Sequence, residues 1–220
     1  STPSNSSAAS DVYKRQPLYL YYLFNKENTH MKNKFTTVEI TMMAVFAAIL
    51  CVSAYLSIPT PLPNAAHITL LNFMIMLIAL VFEVRDSTII VALWMILGAV
   101  GVPVFIGGGS GIGYLTGVFG GYTFSFIIVT IFAGLTKGKK YNRIRYTIVA
   151  ILTAALIDII GMLWWKFNGN LTWKVAFLSG FVAFIPLDLV KAIIAAQIVP
   201  LFKKLMPEAN ANTVAKKEAA

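Results

Sequence analysis

The fold of this chain is decided by residues 184–204, which read FIPLDLVKAIIAAQIVPLFKK. Almost every side chain in this stretch is apolar, yet Asp188 and Lys191 carry opposite charges three residues apart. A single charge at the centre of a bilayer costs about 2.5–3.5 kcal/mol, and pairing at i and i+3 on a helix offsets part of that cost. The stretch therefore predicts an apolar helix with one polar feature near its start, and Lys203 and Lys204 mark its far end.

The composition of the whole chain predicts that this helix lies in a membrane. Of the 220 residues, 58% are hydrophobic and 12% are charged, and the mean hydropathy is +0.75. Soluble domains have about 25% charged residues, so much of the surface of this chain does not face water. Several apolar runs reach the ~20 residues that a bilayer-spanning helix requires, which predicts a polytopic membrane protein. The single cysteine, Cys51, excludes an intrachain disulfide.

Six apolar segments predict an all-α bundle of six transmembrane helices. A proline at 186 separates a short segment, 173–184, from the last span. The predicted spans are 38–58, 66–82, 87–105, 112–135, 145–165 and 187–205. We expect the membrane domain to cover residues 31–205, between a non-native or disordered extension at 1–30 and a polar cytoplasmic tail at 206–220.

The positive charges predict which ends of the helices face the cytoplasm. With the N-terminus inside, 15 of the 18 Lys and Arg residues fall on inner segments, two fall on outer segments and Lys191 lies within a span. Cytoplasmic segments of membrane proteins carry such an excess of basic residues. Both termini are therefore expected in the cytoplasm. Orientation and contact with anionic lipid explain the net charge of +9 without nucleic acid binding.

In this topology, polar residues from four segments reach the same outward-facing depth, which favours a small-molecule pocket. Asn72 and Thr69 lie in the second span, the glycine-rich connection 101–113 follows the third, Asp158 lies in the fifth, and Asp188 with Lys191 lies at the start of the sixth. The helix start and Lys191 would favour an anionic group, and Asp188 would accept hydrogen bonds from donors on the same ligand. A purely structural ion pair is the alternative.

The glycines after the third span favour two different roles. The run 107–109 is unsuited to a helix and fits a backbone that approaches or covers a ligand. Gly113, Gly117 and Gly121 follow at every fourth position and predict close helix packing if their segment is one helix.

Catalysis and ATP binding are not favoured. The chain has no G-x-x-x-x-G-K-[ST] loop, no metal-ligand spacing, and only the histidines His30 and His67. Asp158 and Asp188 could form an acid pair, but Lys191 beside Asp188 is the opposite of the environment that a proton-sharing pair requires. We therefore expect a protein that is not an enzyme.

The order of the segments resembles the BioY family, the biotin-specific substrate-binding (S) components of energy-coupling factor (ECF) vitamin transporters. The similar stretches are HITLLNFMIMLIAL (67–80), LWMILGAVGVPVFIGGGSGIGYLTGVFGGYTFSF (93–126), GMLWW (161–165) and FIPLDLVKAIIAAQIVPLF (184–202). The resemblance implies a six-helix membrane protein in the cell membrane of a bacterium. It would capture biotin from outside, hold no cofactor of its own, and rely on separate subunits that bind and hydrolyse ATP.

The resemblance also implies roles for individual residues. Asp188 would bind the ureido N–H groups of biotin and Lys191 its carboxylate, with further pocket residues at Asn72, Gly108 and Tyr122. In the first span, the A-x-x-x-A pattern of Ala44 and Ala48 would dock on the ECF transmembrane coupling subunit.

Two features depart from the family pattern. The chain reads GVFGG at 117–121 where the family commonly reads G-P-T-x-G, and Asp158 stands where we expect an uncharged residue. A second acid in the pocket could admit a related heterocycle. The alternatives are therefore an S component for another small vitamin or a biotin precursor and, from a different class, a membrane structural or assembly protein.

Overall fold

The computed structural model describes residues 35, 37–58 and 68–205, without the side chains of residues 58 and 68. The predicted extension at 1–30, the predicted tail at 206–220 and both histidines lie outside the described residues.

The described chain is mostly helical. Its α-helices, numbered in chain order, are α1 (Thr37–Ser53), α2 (Leu71–Val81), α3 (Val84–Ala99), α4 (Ile112–Thr116), α5 (Gly120–Thr136), α6 (Arg143–Asn168), α7 (Trp173–Phe177) and α8 (Ile185–Leu205). A 3-10 turn, Ile106–Gly108, lies between α3 and α4, and a π-helical turn, Leu178–Val182, lies between α7 and α8.

A small strand pair shortens the first two predicted spans. Strand β1 (Ser57–Ile58) pairs antiparallel with strand β2 (Ile68–Thr69). Helix α1 therefore ends at Ser53, before the predicted limit of 58, and α2 begins at Leu71, after the predicted start at 66. Sequence hydropathy missed this change because apolar residues are favoured in strands as well as in membrane helices.

The remaining predicted spans overlap helices with different ends. The predicted span 87–105 corresponds to α3, which ends at Ala99, and the predicted span 145–165 corresponds to α6. The last predicted span, 187–205, corresponds to α8, which begins two residues earlier and has Pro186 in its first turn. Proline is tolerated there because the first backbone N–H groups of a helix have no intrahelical acceptor.

The predicted span 112–135 is wrong as one continuous helix, since α4 ends and α5 begins within it. Gly117 lies in the break, so the predicted glycine stripe does not form. At Gly121 a Cβ would lie 2.1 Å from Trp164 Cβ, so close packing with α6 is confirmed there. At Gly113 a Cβ would meet nothing within 4 Å, so the packing role predicted for this residue is wrong.

Helix α2 is the central helix of the unit formed by residues 41–220. It packs against α3, α5, α6 and α8, and all residues from Met74 to Val81 are buried. A helix that is apolar on every side is typical of such an enclosed position. The one amide side chain of α2, that of Asn72, lies in its first turn. The polar part of the core is therefore at this end of the helix.

The helices around α2 define two ends. The starts of α2, α5 and α8 lie at one end, which we call the pocket end, because Asn72 contacts Asp188 and lines one cavity together with Tyr122. The ends of the same three helices and the start of α6 lie at the opposite end, as contacts from Lys137 to Phe82 and from Lys203 to Tyr146 show.

Two helical runs in the described part are long and apolar enough to cross a membrane, Arg143–Asn168 and Trp173–Leu205. Shorter apolar helices are Thr37–Ser53, Leu71–Val81 and Gly120–Thr136. The helical fold class is confirmed, whereas the number of spans and the cytoplasmic position of the termini stay predictions.

Candidate ligand-binding site

A cavity that is partly open to solvent lies at the pocket end of the helices. Small-molecule sites typically have mostly apolar walls with a few polar groups that orient the ligand. The cavity combines aromatic and aliphatic side chains with a few polar ones, and its wall consists of Thr69, Asn72, Ile106, Tyr114, Phe119, Tyr122, Asp158 and Phe184. It is therefore suited to a small, largely apolar ligand with one polar end.

Aromatic rings held in fixed positions form much of the wall. The Tyr122 hydroxyl donates to the carbonyl oxygen of Gly180 at 2.8 Å, and its ring lies edge-on to that of Phe184 with centroids 6.5 Å apart. The ring of Tyr114 stacks on Phe105 with centroids 4.9 Å apart. Such rings offer a flat, rigid surface against which a ring-shaped ligand can pack.

Asp188 and Lys191 form the predicted ion pair at the start of α8. Lys191 Nζ donates to Asp188 Oδ1 at 2.7 Å and to the carbonyl oxygen of Thr69 at 2.9 Å. Asn72 Nδ2 donates to Asp188 Oδ2 at 3.2 Å, so both oxygens of this buried carboxylate accept a hydrogen bond. Both members of the pair thus contact Thr69 or Asn72, and these two contacted residues are among those that line the cavity.

Asp158 approaches the same region from α6. Its side chain is 1% exposed, it lines the cavity, and its Oδ1 has no hydrogen-bond partner in the described part of the protein. Asp158 is also close enough to Asp188 and Lys191 to interact with both charges. The structure thus brings together five predicted positions, Asn72, Tyr122, Asp158, Asp188 and Lys191.

Gly108 lies beside the cavity, next to Ile106, which contributes to the wall. Its φ of +78° lies in the left-handed region that favours glycine, and a Cβ there would lie 3.5 Å from the Tyr55 ring. The N–H of Gly107 donates to the carbonyl oxygen of Ala54 at 3.3 Å, which ties this glycine run to the chain after α1. The run is therefore part of the pocket surroundings, and Ile106 is its contact with the cavity.

Ala44 and Ala48 lie away from this site, on the exposed face of α1. Val45 and Ile49 on the same face are 46% and 43% exposed, whereas Leu50 is buried. This face is apolar and carries small side chains at i and i+4, so another helix could approach it closely.

Among the described residues, no group of three or more His, Cys, Asp or Glu side chains is arranged to hold a metal ion. The side chains that line the cavity offer hydrogen bonding and apolar contact.

The model of the BioY family matches residues 29–208. This chain belongs to the BioY family. The biotin transporter BioY2 of Lactococcus lactis subsp. cremoris (strain MG1363) is 34% identical over 157 residues, which are 71% of this chain and 85% of that protein. The biotin transporter BioY of Thermotoga maritima (strain ATCC 43589) is 34% identical over 171 residues, or 77% of this chain and 98% of that protein.

A solved structure supports the same assignment. The crystal structure of the S-component for biotin from an ECF-type ABC transporter matches with a TM-score of 0.69 and 25% identity. The match covers 78% of this chain and 95% of that one. The resemblance predicted from the sequence is thus confirmed.

Sequence reasoning missed four apolar wall residues of this cavity, namely the aliphatic Ile106 and the aromatic Tyr114, Phe119 and Phe184. An aromatic residue in an apolar membrane segment carries no signal that separates a cavity wall from a lipid contact. Helical spacing could have found Phe184, because it lies four residues before Asp188, and its carbonyl oxygen accepts the Asp188 N–H at 3.0 Å.

Proposed function

We propose that this chain is a membrane-embedded S component that captures biotin for ATP-driven uptake by an ECF transporter. The observation that carries the proposal is a cavity with aromatic walls and a buried polar end in a chain of the BioY family. Biotin pairs an apolar bicyclic body with ureido N–H groups and a carboxylate, so it offers both the apolar surface and the polar groups that such a cavity can bind. The relatives are named as biotin transporters, and the chain is accordingly a bacterial membrane transport protein and not an enzyme.

The site proposal assigns the polar end of the cavity to recognition. Asp188 and Asp158 would accept hydrogen bonds from the ligand, Lys191 would attract its carboxylate, and Asn72 would hold Asp188 in place. Each oxygen of Asp188 accepts one protein hydrogen bond and can accept a second from a ligand. The aromatic ring of Tyr122 would pack against the ligand body.

Gly108 would act through its backbone, by holding the 106–108 turn beside the cavity. Its left-handed φ of +78° keeps Ile106 and the following residues in a tight turn. A side chain at this position would strain the turn and bring the cavity wall out of place.

The orientation proposal rests on where the folded chain places its basic residues. Seven basic residues lie at the opposite end, after α5, at the start of α6 and at the end of α8. They are Lys137, Lys139, Lys140, Arg143, Arg145, Lys203 and Lys204. Cytoplasmic surfaces carry such an excess. The pocket end would therefore face outward, with six spans crossing the cell membrane and both termini in the cytoplasm.

The partner proposal concerns the exposed face of α1. Ala44 and Ala48 would dock on the transmembrane coupling subunit, which joins this chain to the ATPase subunits. The proposal is supported by the exposure of both alanines on an apolar face. ATP would be bound by those partners, and the remaining apolar surface would face lipid.

The alternatives are less well supported by the arrangement of polar residues. In a structural or assembly protein, we would not expect Asn72, Tyr122 and Asp158 to line one cavity together. An S component for another small vitamin or a biotin precursor shares the fold, but the curated relatives named above favour biotin.

Purified protein in detergent should retain labelled biotin, and biotin should raise its unfolding temperature. A ligand present at 100 times its Kd stabilises the folded state by about 2.7 kcal/mol. Unlabelled biotin, dethiobiotin and an unrelated vitamin would serve as competitors. The absence of both retention and thermal stabilisation at saturating biotin would contradict the proposal, and preferential displacement by another compound would favour the precursor alternative.

A further inference from the structure

Asp158 carries a buried polar atom that the fold itself does not use. The side chain is 1% exposed and lines the cavity, and within the described part of the chain its Oδ1 accepts no hydrogen bond. Buried polar atoms of folded proteins nearly always have a partner, because burial without one is costly. An oxygen left in this state on a cavity wall points to a partner that a ligand supplies.

The neighbouring acid, Asp188, is in a different state. Its two oxygens accept hydrogen bonds from Lys191 Nζ at 2.7 Å and from Asn72 Nδ2 at 3.2 Å. Lys191 also donates to the carbonyl oxygen of Thr69, so its ammonium group is directed toward Asp188 and the backbone of β2. Both oxygens of Asp188 therefore accept hydrogen bonds from protein side chains, whereas Asp158 Oδ1 accepts none in the described part of the chain.

The groups around the cavity restrict what can bind at that acceptor. Asp158 faces Asp188 and Lys191 from α8 and Tyr122 from α5. A carboxylate group has no donor to offer the open oxygen of Asp158, whereas an N–H donor would satisfy it with a hydrogen bond. The chemistry at this wall therefore suits the uncharged, N–H-bearing end of a ligand.

We infer that Asp158 is a further specificity-determining residue, whose Oδ1 accepts a hydrogen bond from a ring N–H of the bound ligand. The inference rests on the proposed function, in which the ligand contains a cyclic urea. The urea is then held between the carboxyl groups of Asp158 and Asp188, one for each N–H. The ligand carboxylate lies away from Asp158, on the side of Lys191.

The test compares Asp158→Ala and Asp158→Leu with the wild-type protein by equilibrium binding of biotin and of its two ring-N-methylated isomers. Asp158→Ala should lower the affinity for biotin about 10-fold, the value of one hydrogen bond. With the wild-type protein, one of the two methylated isomers should bind more weakly than biotin. This difference in affinity should largely disappear with Asp158→Ala, because the methyl group and the substitution remove the same hydrogen bond.

Unfolding of the ligand-free proteins separates recognition from structure. Both Asp158 variants should unfold at the wild-type temperature or above it, since each removes a buried carboxyl oxygen without a partner. Asp86→Asn is the matched control, because Asp86 is an acid on α3 that pairs with Arg85 away from the cavity, and it should leave affinity unchanged.

Three results would overturn the inference: wild-type affinity in Asp158→Ala, an undiminished penalty for both methylated isomers in that variant, or a loss of ligand-free stability that accounts for the loss of binding. If Asp158→Ala does not fold, Asp158→Leu with the same isomers decides, since its side chain has no atom that accepts a hydrogen bond. Wild-type protein that binds no biotin would reject the proposed function itself.

Discussion

Each end of the molecule has an inward-directed lysine, which is buried at one end and half-buried at the other, and the two lysines have different partners. At the opposite end, Lys137 is 6% exposed, and its Nζ donates to the carbonyl oxygens of Ala79 at 2.8 Å, Leu80 at 3.2 Å and Phe82. At the pocket end, the Lys191 side chain is 17% exposed and is bound by the carboxylate of Asp188 and one carbonyl.

This difference separates a structural charge from one that we propose to be functional. An ammonium group has three N–H donors, and Lys137 uses all of them on the last turn of α2, where carbonyl oxygens have no intrahelical partner. Lys137 therefore completes the central helix and has no donor left for a ligand. Lys191 is partly exposed, is paired with an acid, and lies near Asp158, so its environment can change when a ligand binds.

The comparison would be broken most directly by Lys137→Met. Removing the ammonium group leaves three buried carbonyl oxygens without a donor, which should lower the free energy of unfolding by about 3 kcal/mol or more. In a chain of this size that is a fall of roughly 6–12 °C in unfolding temperature. Thermal unfolding checks the value, with the exposed Lys139→Met as control. Biotin affinity of the folded fraction should be unchanged, and a large loss of affinity would give Lys137 a role in binding.

Lys191→Met should have the reverse effect, with binding affected more than folding. The affinity for biotin should fall about 100-fold through the loss of a charged partner, and the affinity for biotin amide by about 10-fold or less. Competition binding measures both ligands, and Lys174→Met is the control because Lys174 is an exposed lysine near the start of α7. Equal losses for the two ligands would show that Lys191 supports Asp188 without binding the carboxylate.

Asn72→Ala should have an intermediate effect on the pocket end. The change removes the donor to Asp188 Oδ2 and leaves that oxygen free to shift. We expect the affinity for biotin to fall about 10-fold, equivalent to one hydrogen bond of about 1.4 kcal/mol. Isothermal titration checks this value against Asn168→Ala, which removes an exposed amide at the end of α6. Unchanged affinity would mean that Lys191 alone positions Asp188.

A pair of tyrosines gives the smallest predicted effects. Tyr122→Phe removes the bond to Gly180, and Tyr141→Phe removes a 3.2 Å bond to the carbonyl oxygen of Ala196 at the opposite end. Each should cost about 1 kcal/mol of unfolding free energy. Only Tyr122→Phe should also weaken biotin binding, by about threefold, because the lost hydrogen bond holds in position a ring that lines the cavity. Similar changes in affinity for both variants would indicate a general loosening of the helices.

The sequence predicted that the polar residues of the pocket end lie close together because polar side chains are rare in apolar segments. Asn72, Asp158 and Asp188 were conspicuous for this reason, and a positive-inside topology was enough to bring them to a common depth. Lys137 was treated only as one of many basic residues, since its sequence neighbours are also basic and its folding back onto α2 depends on tertiary contacts. The interruption of the predicted span at Gly117 was missed because hydropathy does not show where the backbone hydrogen bonds of a helix end.

The aromatic wall could not be predicted for a related physical reason. Tyr114 and Phe119 lie in or beside short irregular segments, and their direction is set by local backbone geometry that periodicity does not describe. The open acceptor on Asp158 depends on the absence of a nearby donor from several other helices. Such an absence is visible only once the helices are packed.

The π-helical turn at 178–182 sets the angular phase of the helix that follows it. A π turn contains about one more residue than an α turn, so the helical run Trp173–Leu205 carries one extra residue before α8. Each residue of an α-helix corresponds to a rotation of about 100°, so shortening this turn by one residue would rotate Asp188 and Lys191 about a quarter of a revolution around the axis. The location of the ion pair relative to α2 therefore depends on the residue count within the turn as well as on the two charged side chains.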